Sequence, residues 1–313
     1  MLKNIASSST LQTSDDPDKS LFLATESVFI QALNNLKPQA IFQQNPLFVF
    51  ESSQKVFEKY PQILPHIQFL ISTLTPGPVE FIIAKNTHIY IPNQKESLEF
   101  VAKSGSNLEA FYPKINNLFY PTTVKMLDSL SYKKKLIVGS NLKFSGILPT
   151  LIDCSSETVL IKRPGLISEV EVENSLPIGF KVEKDYSVGD INLKEFEIEA
   201  NNQDQKLVFA TKEKLTEVFN LHPLDYFQYK RLGNFTLVNL GSQTNPENIL
   251  KNLYRNLFEA ENFGIKEKLF LWQNSGYGKW TEILQYTLKS FDFPFFGAET
   301  LINLGFSPTL VIN

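Results

Sequence analysis

Guanidinium is the scarcest chemistry in this chain. Of 313 residues only Arg163, Arg231 and Arg255 are arginines, against twenty-seven lysines, and the first 162 residues hold none. The guanidinium fork grips phosphate and carboxylate through two parallel hydrogen bonds, whereas lysine offers a point charge. Cysteine is limited to Cys154, which excludes an internal disulfide and any cysteine-based metal cage. The three histidines, His66, His88 and His222, are too far apart in sequence to suggest a zinc site or a catalytic triad, and each reads as structural. No metal ligand set is expected. No apolar run approaches the ~20 residues needed to cross a bilayer, so no transmembrane segment is expected either. Positive charge is in deficit overall: a net charge of -3 supplies no global field for nucleic acid, and any such contact needs a local patch.

What is present is a substantial apolar fraction, 42% of the residues, enough to build the cores of two domains. Residues 1–20 are rich in Ser, Thr and Asp with two lysines, and fit neither a secretory signal nor an Arg-rich transit peptide; no cleaved presequence is evident. Such a polar extension is expected to be disordered alone and ordered by a partner surface. Short apolar runs at Leu21–Ala24, Leu47–Phe50, Val79–Ala84 and His88–Ile91 read as buried strands, as do Leu136–Val138 and Thr158–Ile161. Ser27–Leu36 and Gln54–Leu74 have helical apolar spacing, the second interrupted by Pro61 and Pro65. From Glu169 the composition turns acidic and punctuated by Pro177, Gly179 and Gly189, which predicts an irregular linker over 169–204. Leu207–Ala210 and Phe235–Leu240 then read as strands of a second α/β unit, and Pro246–Glu261 as an amphipathic helix capped by Thr244 or Asn245.

The order of motifs resembles the YrdC-like threonylcarbamoyl-AMP synthases in their long, two-domain form. Ala24-Thr25-Glu26-Ser27-Val28-Phe29 is similar to the family's Pro-Thr-Glu-Thr-Val-Tyr, and Asn45-Pro46-Leu47-Phe48-Val49-Phe50 to its Pro-Leu-Ile-Val-His segment. Thr75-Pro76-Gly77-Pro78-Val79-Glu80-Phe81 resembles Trp-Pro-Gly-Pro-Leu-Thr-Leu, Val124-Lys125-Met126 resembles Val-Arg-Met, and Ile161-Lys162-Arg163-Pro164-Gly165 resembles Ile-Leu-Arg-Pro-Gly. Ser145-Gly146 closes a loop similar to Ser-Ala-Asn-x-Ser-Gly. Gly179-Phe180-Lys181-Val182 resembles an interdomain loop of the family, and Leu253-Tyr254-Arg255-Asn256-Leu257-Phe258 a helix of its last domain. The resemblance implies an α/β fold, a YrdC-like twisted mixed sheet with helices followed by a smaller Rossmann-like α/β domain. It implies boundaries at 1–20 for the polar extension, 21–168 for the YrdC-like domain, 169–204 for the linker, 205–292 for the C-terminal domain and 293–313 for an apolar extension.

The family condenses threonine, bicarbonate and ATP, a task that demands fixed cations for a triphosphate. Those cations are depleted here. The basic loop before Pro-Leu is replaced by Phe42-Gln43-Gln44-Asn45, with Lys37 as its nearest displaced remnant. The histidine after Pro-Leu is Phe50, the threonine after Pro-Gly-Pro is Glu80, which would set a negative charge near phosphates, and the arginine of Val-Arg-Met is Lys125. In the Ser-Ala-Asn loop the aligned positions are Asn141 and Lys143, or Ser140 and Asn141 with two residues inserted. The residual ligand-binding set implied is Thr25, Lys37, Lys125, Asn141, Lys143, Ser145 and Arg163, with no catalytic residue. The expectation is a catalytically inactive homologue serving as a structural or accessory subunit of a larger assembly, with a mitochondrial location and other protein subunits as partners. No cofactor is expected; ATP and magnesium enter only under the alternative, an active synthase in tRNA threonylcarbamoyladenosine biosynthesis.

Overall fold

A computed structural model describes residues 22–24, 29–32, 47–93, 95–104, 108–111, 114–115, 118–119, 136–138, 147–186, 206–219, 229–232, 235–242, 248–250, 252–253, 267–271, 279–290 and 295–296. The chain divides into two compact units, Met1–Ser187 and Val188–Asn313.

The first unit opens with strands β1 (Phe22–Ala24), β2 (Phe29–Ala32) and β3 (Leu47–Val49), then helices α1 (Ser53–Lys59) and α2 (Pro65–Leu74). Strands β4 (Val79–Ala84) and β5 (Thr87–Tyr90) follow, then helix α3 (Lys95–Ser104) and strand β6 (Leu108–Phe111). Next come the short strands β7 (Lys114–Ile115), β8 (Leu118–Phe119) and β9 (Leu136–Val138). The last elements are β10 (Thr150–Asp153), β11 (Val159–Arg163), helix α4 (Glu169–Asn174) and β12 (Val182–Lys184). Ten of these strands form one mixed sheet in the order β12-β11-β10-β4-β5-β3-β6-β2-β1-β9, while β7 and β8 pair separately.

Local chemistry sets the helix boundaries. The Ser52 hydroxyl accepts the Lys55 N–H at the start of α1, and Pro65 opens α2 where its missing N–H costs nothing. The α2 pattern Ile67, Leu70, Ile71 places three buried side chains on one face. They pack with Val56 and Val172 against Val79, Phe81, Ile89, Ile152, Val159 and Ile161. The pairings Phe81 to Ile89, Phe81 to Ile152 and Ile152 to Ile161 make these residues one row across the helix-covered face. Because side chains alternate along a strand, the neighbouring row, Tyr90, Glu80, Leu151 and Arg163, lies on the other face.

Two expectations are corrected. Residues 27–36 read as helical, but Phe29–Ala32 is strand β2, antiparallel to both β1 and β6. Its run of Phe, Ile, Gln and Ala fits either period, and strand neighbours on both sides decide the outcome. The segment read as a linker from residue 169 begins with α4, closed by a reciprocal box in which Ser168 Oγ accepts the Glu171 N–H and Glu171 accepts the Ser168 N–H. It continues into β12, which pairs in parallel with β11.

The second unit carries a five-stranded sheet in the order β14-β15-β13-β16-β17. Its members are β13 (Lys206–Ala210), β14 (Tyr229–Leu232), β15 (Phe235–Asn239), β16 (Glu267–Leu271) and β17 (Phe295–Phe296), with helices α5 (Lys212–Phe219) and α6 (Lys279–Ser290). Val208, Phe209 and Ala210 are consecutive and all buried, as expected of a central parallel strand covered on both faces. Phe295 and Phe296, in the apolar C-terminal run, add the edge strand β17 in parallel to β16.

Candidate functional site

The two proline-glycine motifs of the first unit meet at one buried threonine. Thr150, fully buried at the start of β10, donates its N–H to the Pro78 carbonyl at 3.0 Å. Its hydroxyl donates to the Ile167 carbonyl at 2.9 Å and accepts the Ile167 N–H at 3.0 Å. A Cβ on Gly165 would lie 2.7 Å from Thr150 Oγ1 and 2.8 Å from Thr150 Cα, so only glycine admits this approach. Gly77 is constrained in the same way by the Leu74 carbonyl oxygen. The turn that carries Gly77 follows the cis bond between Thr75 and Pro76. The motifs therefore hold β4, β10 and β11 side by side, which fixes where Glu80 and Arg163 stand.

Arg163 reaches its place through an irregularity in β11. Leu151 opposes Arg163 while Ile152 opposes Ile161, so Lys162 is left over as a bulge. Without the extra residue Leu151 would face Lys162, and an ammonium would replace the fork in the row with Glu80. Lys162 turns instead to a surface pair with Asp185, with Asp153 at 3.8 Å. Arg163 Nη2 donates to Glu80 Oε2 at 2.8 Å and Nε donates to the Pro149 carbonyl at 2.9 Å. On the other side of the carboxylate, His88 Nδ1 lies 2.6 Å from Glu80 Oε1. A protonated Nδ1 donates this bond. The side chain of Glu80 is 4% exposed and that of Arg163 13%. A carboxylate so removed from water is tolerable only because both of its oxygens are engaged.

Of the seven residues expected to form a residual ligand set, Arg163 is described, and it is bonded to Glu80 and Pro149. Thr25, Lys37, Lys125, Asn141, Lys143 and Ser145 lie outside the described residues. Glu80 was expected to bring a negative charge to phosphates; it brings that charge to Arg163. Phe50 belongs to the helix-side core, edge-on to Tyr60 at 6.2 Å with Lys59 Nζ 5.5 Å above its ring, on the face opposite Arg163. Arg163, the one arginine in the sequence of this unit, is thus paired with a carboxylate of the same sheet. Among the described residues, no group of three or more His, Cys, Asp or Glu side chains stands ready to hold a metal. No helix among them is long and apolar enough to cross a membrane. A separate cavity of about 260 Å³ opens between the α1–α2 connection and the β10–β11 turn, lined in part by Ile63, Ile83, Cys154 and Glu157.

Sequence reasoning singled out Arg163 and Glu80 but not the bond between them, and it read His88 as merely structural. One signal was present: Glu80 interrupts Val79-Glu80-Phe81-Ile82-Ile83, and a charge inside a buried strand requires a partner. The partner is 83 residues away, beyond any local pattern.

No protein-family model matches the sequence, and no curated protein matches it. Among solved structures the fold is similar to that of P. abyssi Sua5. A double variant of that protein aligns at 16% identity over 90% of this chain and 91% of its own, with a TM-score of 0.60. The same protein complexed with L-threonine aligns at 16% identity over 90% of this chain and 92% of its own, with a TM-score of 0.58. The likeness is one of fold, at a sequence identity of 16%.

Proposed function

We propose that this chain is a YrdC-like protein that has kept the fold of the threonylcarbamoyl-AMP synthases without their chemistry, and that it serves as a structural or accessory subunit of a larger protein assembly. One observation carries the reading: Arg163, the sole arginine in the sequence of the first unit, donates Nη2 to Glu80 and Nε to the Pro149 carbonyl. Adenylate formation requires cations free to follow charge as it develops on phosphate, and loss of a single such donor costs about 10²–10³ in rate. Here the motif arginine is engaged and the preceding basic loop is Gln43-Gln44-Asn45. The work of the fold, in this reading, is to offer surfaces on which partners dock.

The test is direct. Purified protein incubated with threonine, bicarbonate, ATP and magnesium is expected to release no pyrophosphate above the protein-free control, and native extracts are expected to carry the protein in a high-mass complex. Pyrophosphate released only when threonine is present overturns the reading. A second reading, an active synthase with relocated ligands, is favoured by the likeness to Sua5 over 90% of the chain, including the solved complex of that protein with L-threonine. The same assay separates the two.

A further inference from the structure

We propose that Glu80 is a resident anion: a carboxylate supplied by the chain itself that fills, beside Arg163 and His88, a place shaped for a small planar anion. The inference deepens the reading above, because it names what occupies the arginine. The two oxygens of Glu80 are divided between donors on different strands, Oε2 to Arg163 Nη2 at 2.8 Å and Oε1 to His88 Nδ1 at 2.6 Å. Charge-assisted contacts on both oxygens are how a binding site holds a carboxylate ligand. The donors are also positioned independently of the acid. Pro149 O fixes Arg163 Nε at 2.9 Å, and the bulge at Lys162 sets the register that aims the guanidinium. His88 is held by the pairing of β5 with β3 on one side and β4 on the other, opposite Leu47 and Ile82.

Truncating Glu80 therefore leaves two aimed donors around a space the size of the carboxylate that was removed. Formate or acetate matches that space in shape, charge and acceptor geometry; chloride matches it only in charge. Because the native acid is covalently attached, its occupancy is independent of solute concentration, and the wild-type chain is indifferent to added carboxylates.

Thermal unfolding of the full chain tests this. Glu80→Ala is expected to lower Tm by roughly 5–15 °C, the consequence of leaving a partly buried arginine without its acid in a unit of this size. Sodium formate is expected to restore at least half of that loss, sodium chloride at equal ionic strength far less, and neither to move the wild type. In the double variant Glu80→Ala with Arg163→Met, the formate effect is expected to vanish. Where Glu80→Ala is obtained only as unfolded chain, refolding yield in formate against chloride reads the same contrast. Equal response to formate and chloride, no response to formate, or a formate response that survives Arg163→Met overturns the proposal. Pyrophosphate release by the wild type is a separate readout: it would overturn the non-catalytic reading while leaving the rescue result to stand or fall alone.

Discussion

The two faces of the first unit's sheet are held by different physics. On the face covered by α1, α2 and α4, a contiguous apolar cluster runs from Phe50 and Val56 through Leu70 and Phe81 to Val182, each member nearly or fully buried. Burial of that kind is non-directional and tolerates exchange among side chains of similar volume. On the other face the row Tyr90, Glu80, Leu151 and Arg163 depends on two bonds of fixed direction and on a register set by one bulge. The lesson is that a fold survives sequence drift through its apolar face, while its chemistry rests on a few polar groups that drift can redirect. Here the arginine of the Ile161–Gly165 segment is bonded to an acid of the chain itself.

The sharpest way to break the contrast is at the backbone frame that both faces share. Gly165→Ala forces a Cβ into the buried main chain of Thr150, and expression is expected to yield aggregated or unfolded protein; a folded variant with Tm near that of the wild type contradicts the close approach. On the polar face, Arg163→Met leaves Glu80 buried without its main cation and is expected to cost about 3–5 kcal/mol in chemical denaturation. On the apolar face, Leu70→Ala opens a cavity under α2 and is expected to cost about 2–5 kcal/mol, with Leu70→Met far milder. The directional face has no equally mild exchange, so Arg163→Lys is expected to behave closer to Arg163→Met.

Smaller effects follow outward from the core. Ser168→Ala removes the hydroxyl half of the box that starts α4 and is expected to cost about 0.5–2 kcal/mol, read as a fall in Tm. Cys154 gives a pH-dependent check. Burial, with the nearby Asp153 carboxylate adding to it, pushes its thiol far above the ordinary 9.0. A raised thiol pKa leaves stability whole below pH 9.0 and erodes it as pH rises further, because the unfolded chain ionises first. Iodoacetamide at neutral pH is accordingly expected to label Cys154 in denaturant and scarcely at all in the native protein.

Much of this was legible in the chain. Val79–Ala84, His88–Ile91 and Phe235–Leu240 announce their strands by apolar runs between turn residues, and Pro61 and Pro65 mark the break between α1 and α2. Residues 29–32 were misread because four residues of mixed character fit a helix and a strand equally, and pairing with β6, some eighty positions later, decided between them. Composition hid α4 and β12 because acidic residues and glycines signal loops on average, whereas the Ser168–Glu171 box acts locally. Arg163 was found through the motif around it. Its bond to Glu80 depends on strand order and on the bulge at Lys162, neither of which leaves a local trace in the sequence.

The central claim is that Glu80 and Arg163 exist for each other, and a double-mutant cycle with Glu80→Leu and Arg163→Met measures it most directly. The account predicts that each single variant loses about 3–5 kcal/mol of unfolding free energy while the double variant loses less than either, because the pair is removed together and no lone charge stays buried. Additive losses, with a coupling within about 0.5 kcal/mol of zero, would contradict it.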